Sequence, residues 1–247
     1  MTNIRASIAD LIFPRRCLGC DVLLEDTTPS NICFVCISKI PGQAGFSCAF
    51  CSSPTRAGQT CPFCIKDRYL NRLFAFTNYE NILVKKLIKT MKYQFVYSLA
   101  NVVGNLMSPY FKKNILNTIE PSNTIVIPVP LHKKRLNWRG FNQSELIARS
   151  LSANLGLNIN SSIIKRTSNT RHQADIKNRL ERINNIQGSF CSIDKNKTIP
   201  NNITSEKQII LIDDVSTTSY TLNDCARALK GAGAKEVIGF VFARGRP

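Results

Sequence analysis

The sequence predicts an α/β protein: a largely parallel β-sheet with helices on its faces, preceded by a small cysteine-rich module. Three observations predict it. Eight of the ten cysteines stand as four CxxC pairs within 48 residues, Cys17/Cys20, Cys33/Cys36, Cys48/Cys51 and Cys61/Cys64. From residue 73 onward, short apolar runs of strand length alternate with longer amphipathic stretches. Near the C-terminus, KQIILIDD, a helical stretch, a GAGA turn and EVIGFVFA follow one another as strand, helix, turn and strand. Such a unit pairs its strands in parallel and lays its helix on a sheet face. At 247 residues and 43% hydrophobic composition, the chain is long enough for one sizeable core plus a small module, and too apolar for disorder.

The N-terminal MTNIRASIADLIFPRR carries only the apolar run Leu11, Ile12, Phe13, too short for a signal-peptide core. No stretch reaches the roughly 18 to 20 apolar residues of a membrane span. The expected location is therefore the cytoplasm, where paired cysteines read as metal ligands rather than as a disulfide framework. A CxxC turn aims two thiolates at one centre, and two pairs complete the tetrahedral sulfur shell that zinc prefers. Four pairs predict two zinc sites. Each is structural, because four thiolates leave no open position for chemistry. Residues 14–65 lack helical periodicity and large apolar groups, so metal binding supplies much of their folding free energy. Sequential pairing, first motif with second and third with fourth, is the simpler expectation, although an interleaved arrangement satisfies the same spacing. The expected division is 1–65 for the N-terminal segment and double zinc module, and 66–247 for the α/β domain.

Charge is divided unevenly between these parts. Through residue 65 there are five Lys/Arg against four Asp/Glu, so the second part carries +16 of the formal +17. A surplus of that size points to a polyanion such as nucleic acid or a phosphorylated ligand.

Within the larger domain LFAFTN (73–78) reads as a strand. ENILVKKLIKTMKYQ (80–94) reads as a helix docked by Leu83, Val84, Leu87, Ile88 and Met91, with Lys85, Lys86, Lys89 and Lys92 on a basic outer face. A second helical stretch runs from about Val96 to Leu116. TIVIPVP (124–130) is a short buried strand that Pro128 and Pro130 end, since neither has an N–H for the ladder. Residues 142–155 form a helix with Leu146, Ile147, Leu151 and Leu155 inward and Gly156 as its stop. The final unit places a strand at 207–214, a helix at 219–230 and a strand at 236–243. Ligands of such sheets bind beyond the carboxyl ends of the strands, where Asp213 and Asp214 stand.

After those acids come Ser216, Thr217, Thr218, Ser219 and Thr221. If this loop leads into the helix, its N–H groups and hydroxyls make a phosphate cradle at a helix N-terminus. Carboxylates repel phosphate but accept hydrogen bonds from adjacent sugar hydroxyls, so a ribose 5-phosphate unit suits the pattern.

IILIDDVSTTSYT (209–221) resembles the phosphoribosyl pyrophosphate (PRPP) loop of type I phosphoribosyltransferases: a hydrophobic strand, two acids, then Thr-Thr-Gly-x-Thr. IPVPLHKKRLNWRGFNQSELIA (127–148) and KRTSNTRHQADIKNRLERINNIQGSF (165–190), with Thr170, Gln173, Arg179, Arg182 and Asn185, resemble two further blocks of the ComF family. The resemblance covers nearly the whole chain and implies a type I phosphoribosyltransferase-like domain behind a double zinc ribbon. It implies that Asp213 and Asp214 hold the ribose 2′ and 3′ hydroxyls, and that Thr217 through Thr221 take the 5-phosphate, with Ser216 part of the same PRPP site. The basic segment after Pro128 would lie near pyrophosphate and Mg²⁺. It also implies a role in natural transformation, with single-stranded DNA, a PRPP-type ligand and other DNA-uptake or helicase proteins as partners. The alternative is an active Mg²⁺-dependent phosphoribosyltransferase on an unidentified acceptor. Two positions depart from the pattern. Ser219 stands where a glycine allows φ > 0, and Thr217 stands where purine transferases have a proton-transferring Asp, which disfavours purine salvage.

The segment Leu131 to Phe141 has a second use. Lys133, Lys134, Arg135 and Arg139 interleave with Trp138 and Phe141, cations for phosphates and rings for bases, as in single-strand binding.

Overall fold

A computed structural model describes residues 14–24, 31–167, 188–192 and 204–245. The blocks containing Thr170, His172, Gln173, Arg179, Arg182 and Asn185 lie outside the described residues. Among the described residues the cysteine-rich segment is built from tight and 3-10 turns and a short α-helix, α1 (Phe34–Ser38). It is followed by β1 (Arg72–Asn78), α2 (Ile82–Tyr93) and α3 (Leu99–Asn114). Next come β2 (Thr124–Pro128), α4 (Lys133–Arg139) and α5 (Gln143–Leu155). The short strands β3 (Asn158–Ile159), β4 (Ile164–Arg166) and β5 (Phe190–Ser192) precede the final unit. That unit consists of β6 (Gln208–Ser216), α6 (Tyr220–Gly231) and β7 (Glu236–Arg244).

Local chemistry accounts for the element ends. Asn81 caps α2 by accepting from the N–H groups of Leu83 and Val84, and Asn142 caps α5 by accepting from Ser144. Gly156 stops α5 in the left-handed region, with φ of 67°. β2 ends at Pro128 as expected. The apolar stripe of α2 is buried at Val84, Leu87, Ile88 and Met91, each such side chain contributing about 1.5–3 kcal/mol by leaving water.

The main sheet has five strands in the order β1-β7-β6-β2-β3, and every neighbouring pair is parallel. β4 and β5 form a separate antiparallel pair. One apolar cluster joins Ile210, Ile212, Phe240 and Phe242 of the sheet to α2, α3 and α5. The other joins Ile209, Leu211, Val237 and Val241 to α6, β4 and β5. The first cysteine group contributes Cys17, Ile32 and Cys36 to the former cluster, and the second contributes Cys48, Ala49, Phe50 and Cys61 to the latter. The cysteine-rich segment thus packs against both faces of the sheet.

Chain direction splits at the middle of this sheet. From β2 the chain leaves through α5 to β3, and from β6 it leaves through α6 to β7 on the opposite face. The carboxyl ends of β2 and β6 therefore part to form a crevice, as at a topological switch point.

Candidate zinc centres and a strand-end ligand cavity

The cysteines gather as two groups in sequential pairing, Cys17/Cys20/Cys33/Cys36 and Cys48/Cys51/Cys61/Cys64, with the Sγ atoms of each group within 4.8 Å of one another. Four sulfurs at about 2.3 Å from a central zinc form a tetrahedron whose edges are about 3.8 Å. The Cys20–Cys33 and Cys51–Cys61 sulfur separations are 3.8 and 3.7 Å. Backbone N–H groups turn inward to the sulfurs: Gly19 and Cys33 donate to Cys17 Sγ, and Cys61 donates to Cys48 Sγ. Burial raises the Cys17 thiol, yet these N–H donors outweigh it and bring it down to about 6. The donor set and spacing suit zinc.

A cavity of about 360 Å³ occupies the crevice at the switch point. Its walls come from the turn after β2 (Val129, Pro130, Leu131), from α2, α4 and α5, from Arg166 of β4, and from the end of β6 and the start of α6. Strand alternation sends Asp213 and Asp214 to opposite faces, Asp214 continuing the row of Ile210 and Ile212, and Asp213 that of Ile209 and Leu211. Both reach the cavity because it lies beyond the strand ends.

Asp213 Oδ1 accepts from Ser144 Oγ at 2.8 Å and from the Asp214 N–H at 2.9 Å. Burial, reinforced by the Asp214 charge, nonetheless pushes its carboxyl up to about 7. Asp214 Oδ2 pairs with Lys92 Nζ at 2.5 Å. Burial alone lowers an ammonium, but Asp214 outweighs it and the Lys92 pKa is raised. Arg139 is buried; its Nη1 donates to Gln143 Oε1 at 2.5 Å, and its Nε has no hydrogen-bond partner among the described residues. Burial lowers the Arg139 pKa, partly offset by Asp214.

Among the residues singled out in the sequence, Asp213, Asp214, Thr217, Thr221, Arg135 and Arg139 line the cavity. Ser216, Thr218 and Ser219 are buried and do not line it. Lys133, Lys134 and Trp138 are exposed on α4 outside it. Lys92 requires a correction: expected on a solvated outer face, it reaches into the cavity and pairs with Asp214. The cavity also recruits Tyr79, which no sequence pattern marked, and Gln143, Ser144 and Arg166, which lie inside the 127–148 and 165–190 blocks without being assigned to the site there.

Ser219 adopts φ of 61°, the left-handed conformation a glycine takes easily. Its Oγ donates to the Ala49 carbonyl at 2.9 Å and lies 3.0 Å from Ser216 Oγ. Ala49 sits inside the third CxxC turn, so the loop before α6 is tied to the second zinc group. Arg244 adds ties from the end of β7, donating to the Cys48 carbonyl at 2.7 Å and to Ser47 Oγ at 2.8 Å. Arg68 lies 5.3 Å from the rings of both Phe50 and Tyr220, a cation shared by the cysteine segment and α6.

A double zinc ribbon joined to a parallel α/β sheet, with an acid-bearing cavity at the switch point, defines the class of protein. The double zinc ribbon domain model matches residues 8–65. The chain is 28% identical over 221 residues to competence protein ComFC of Bacillus subtilis, covering 87% of this chain and 84% of that protein. It is 31% identical over 119 residues to competence protein F of Haemophilus influenzae, covering 48% and 49% of the two chains. It is 34% identical over 112 residues to the DNA utilization protein YhgH of Escherichia coli O157:H7, covering 45% of each. In the last two cases the matched part spans about half of the relative. The chain is thus similar to ComF-type competence proteins, over most of its length in the case of the Bacillus subtilis protein. Similar solved structures include a phosphoribosylpyrophosphate synthetase from Mycobacterium smegmatis (16% identity, TM-score 0.33, 58% of this chain and 33% of that one). Another is the L. donovani hypoxanthine-guanine phosphoribosyltransferase (11%, TM-score 0.33, 60% and 70%). Overlaps this loose carry no argument about ligand or activity.

Proposed function

We propose that this protein handles incoming single-stranded DNA in the cytosol during natural transformation or DNA utilization, and that its strand-end cavity binds a phosphoribosyl ligand of the PRPP type. One observation carries the ligand assignment: the cavity sets two carboxylates, Asp213 and Asp214, among five cations, Lys89, Lys92, Arg135, Arg139 and Arg166. A ligand that offers hydroxyls and phosphates side by side satisfies both sets.

In this reading the carboxylates accept from the ribose 2′ and 3′ hydroxyls, displacing Lys92 from Asp214 toward a phosphate. Thr217 and Thr221 meet the 5-phosphate at the start of α6, whose helix end favours negative charge. Ser216, Thr218 and Ser219 shape that loop from within. Arg135 and Arg139 face the pyrophosphate, and the unpartnered Nε of Arg139 suits an anion. Mg²⁺ enters with the pyrophosphate, since it is commonly held by substrate phosphates and one or two carboxylates. The DNA role is supported by the relatives' competence and DNA-utilization names and by the +17 charge.

Calorimetric titration with PRPP and Mg²⁺ tests the ligand. Saturable heat is expected for the native chain, with at least about a hundredfold weaker binding after Asp213→Asn with Asp214→Asn, the cost of losing two charged hydrogen-bond acceptors. Equal affinity in both proteins would sink the assignment. Turnover is the second reading, favoured by the Asp213 carboxyl near 7, the range of a general base. Pyrophosphate release dependent on Mg²⁺ and an acceptor is its measurement.

A further inference from the structure

Tyr93 ends α2, and Phe95 and Tyr97 follow it; all three side chains are exposed, by 52%, 41% and 67%. Trp138 of α4 is 58% exposed. These rings come from segments about 40 residues apart in sequence, yet Trp138 lies 5.5 Å from Phe95 and 6.3 Å from Tyr93, centroid to centroid, both at steep angles. Tyr97 meets Phe141 in the same way at 6.4 Å. Rings gathered this closely are ordinarily part of a core; here they face water.

Phe95 adds a second observation. Its φ is 58°, a left-handed conformation that a bulky residue rarely adopts, and 41% of the residue stays exposed. Backbone strain of this kind clusters at ligand clamps and active sites.

The charges beside the rings select the occupant. Lys89 precedes Tyr93 by one turn on α2 and Lys134 precedes Trp138 by one turn on α4, so each ring has a cation on its own helix face. From Ile82 to Tyr97 and from Lys133 to Arg139 there is no acidic residue. Tyr93 and Lys89 also line the cavity, so the aromatic ledge begins at its mouth. Flat exposed rings with interleaved cations fit unpaired bases on a phosphate backbone. Duplex DNA hides its base faces, and an acidic polypeptide gives the rings nothing to stack on.

We propose that Tyr93, Phe95, Tyr97 and Trp138 form a stacking platform for the bases of single-stranded DNA, flanked by Lys89 and Lys134. This rests on the DNA-handling reading above and names the surface that performs it.

Trp138 is the chain's single tryptophan, so its emission reports on the platform directly. The zinc-loaded full chain is titrated with a thymidine oligonucleotide while binding is followed separately by anisotropy of a labelled strand. Saturating quenching of Trp138 in step with binding is expected, and Phe95→Gly is expected to weaken binding by about tenfold, a stacking-sized loss. The same variant is expected to unfold in urea in a single cooperative transition like the native chain, because glycine relieves the left-handed backbone and offsets part of the lost ring contact. Binding without quenching overturns the platform and leaves DNA handling intact. Quenching by duplex or by polyglutamate as strong as by the single strand also overturns it. No binding by the native chain overturns the DNA-handling reading itself.

Discussion

Asp213 holds a charge where folding disfavours one. Its pKa rises from 3.8 to about 7 through burial and the neighbouring Asp214. Between those values the folded chain binds a proton that the unfolded chain has lost, so stability falls as pH rises from about 4 to 7 and then levels. Asp213→Asn keeps an oxygen for the Ser144 and Asp214 donors and removes the charge. Urea unfolding is expected to show the variant more stable by about 1 kcal/mol or more at pH 8 and unchanged near pH 4. A variant less stable at pH 8 contradicts this account. The two acids were legible because their charge stands out at the end of an apolar strand. Lys92 was not, because Lys85, Lys89 and Lys92 share one stripe of α2. A helical period cannot reveal that the end of this stripe meets the sheet edge. Ser219 illustrates a different limit: the missing glycine was visible, but its bond to Ala49 joins positions 170 residues apart.

The zinc turns are stereochemically demanding at one glycine. A Cβ on Gly19 would lie 2.6 Å from Cys36 Sγ, inside the first metal group. Gly19→Ala is expected to lower zinc from two ions per chain to one, with the second group still loaded. Elemental analysis of the purified protein checks this, and two retained ions would contradict the crowding. Strands and helices with a clear period were legible within a few residues: α5 stops at the Gly156 read from sequence and starts one residue after the expected 142, with Asn142 as its cap. β6 runs two residues further than expected, to Ser216, because β7 continues to pair with it through Val215↔Ala243 and Ser216↔Arg244. α4 escaped notice because its seven residues, KKRLNWR, carry no apolar stripe. β3, β4 and β5, at two or three residues each, are too short to show alternation.

Across the molecule, the second zinc group supports the loop that enters α6, through Ala49 to Ser219, Cys48 to Arg244 and Phe50 to Arg68 and Tyr220. Losing that metal is therefore expected to loosen the cavity. Cys51→Ser with Cys64→Ser should retain one zinc per chain and bind PRPP about tenfold more weakly, near 1.4 kcal/mol. Unchanged affinity with only one zinc bound would show that the ribbon and cavity are independent. Salt offers another measurement: single-strand binding should fall linearly on a log–log plot, with a slope set by the phosphates neutralised.

Residue chemistry and period were enough to establish the four thiol pairs, the parallel sheet, the acid and hydroxyl loop and the cationic excess, because each depends on neighbours a few positions apart. Sequential zinc pairing, the meeting of Asp214 with Lys92, the cavity at the β2/β6 crevice and the aromatic ledge depend on contacts between distant segments. Those contacts arise from how helices and ribbons cover the two sheet faces, and local sequence carries no record of that packing.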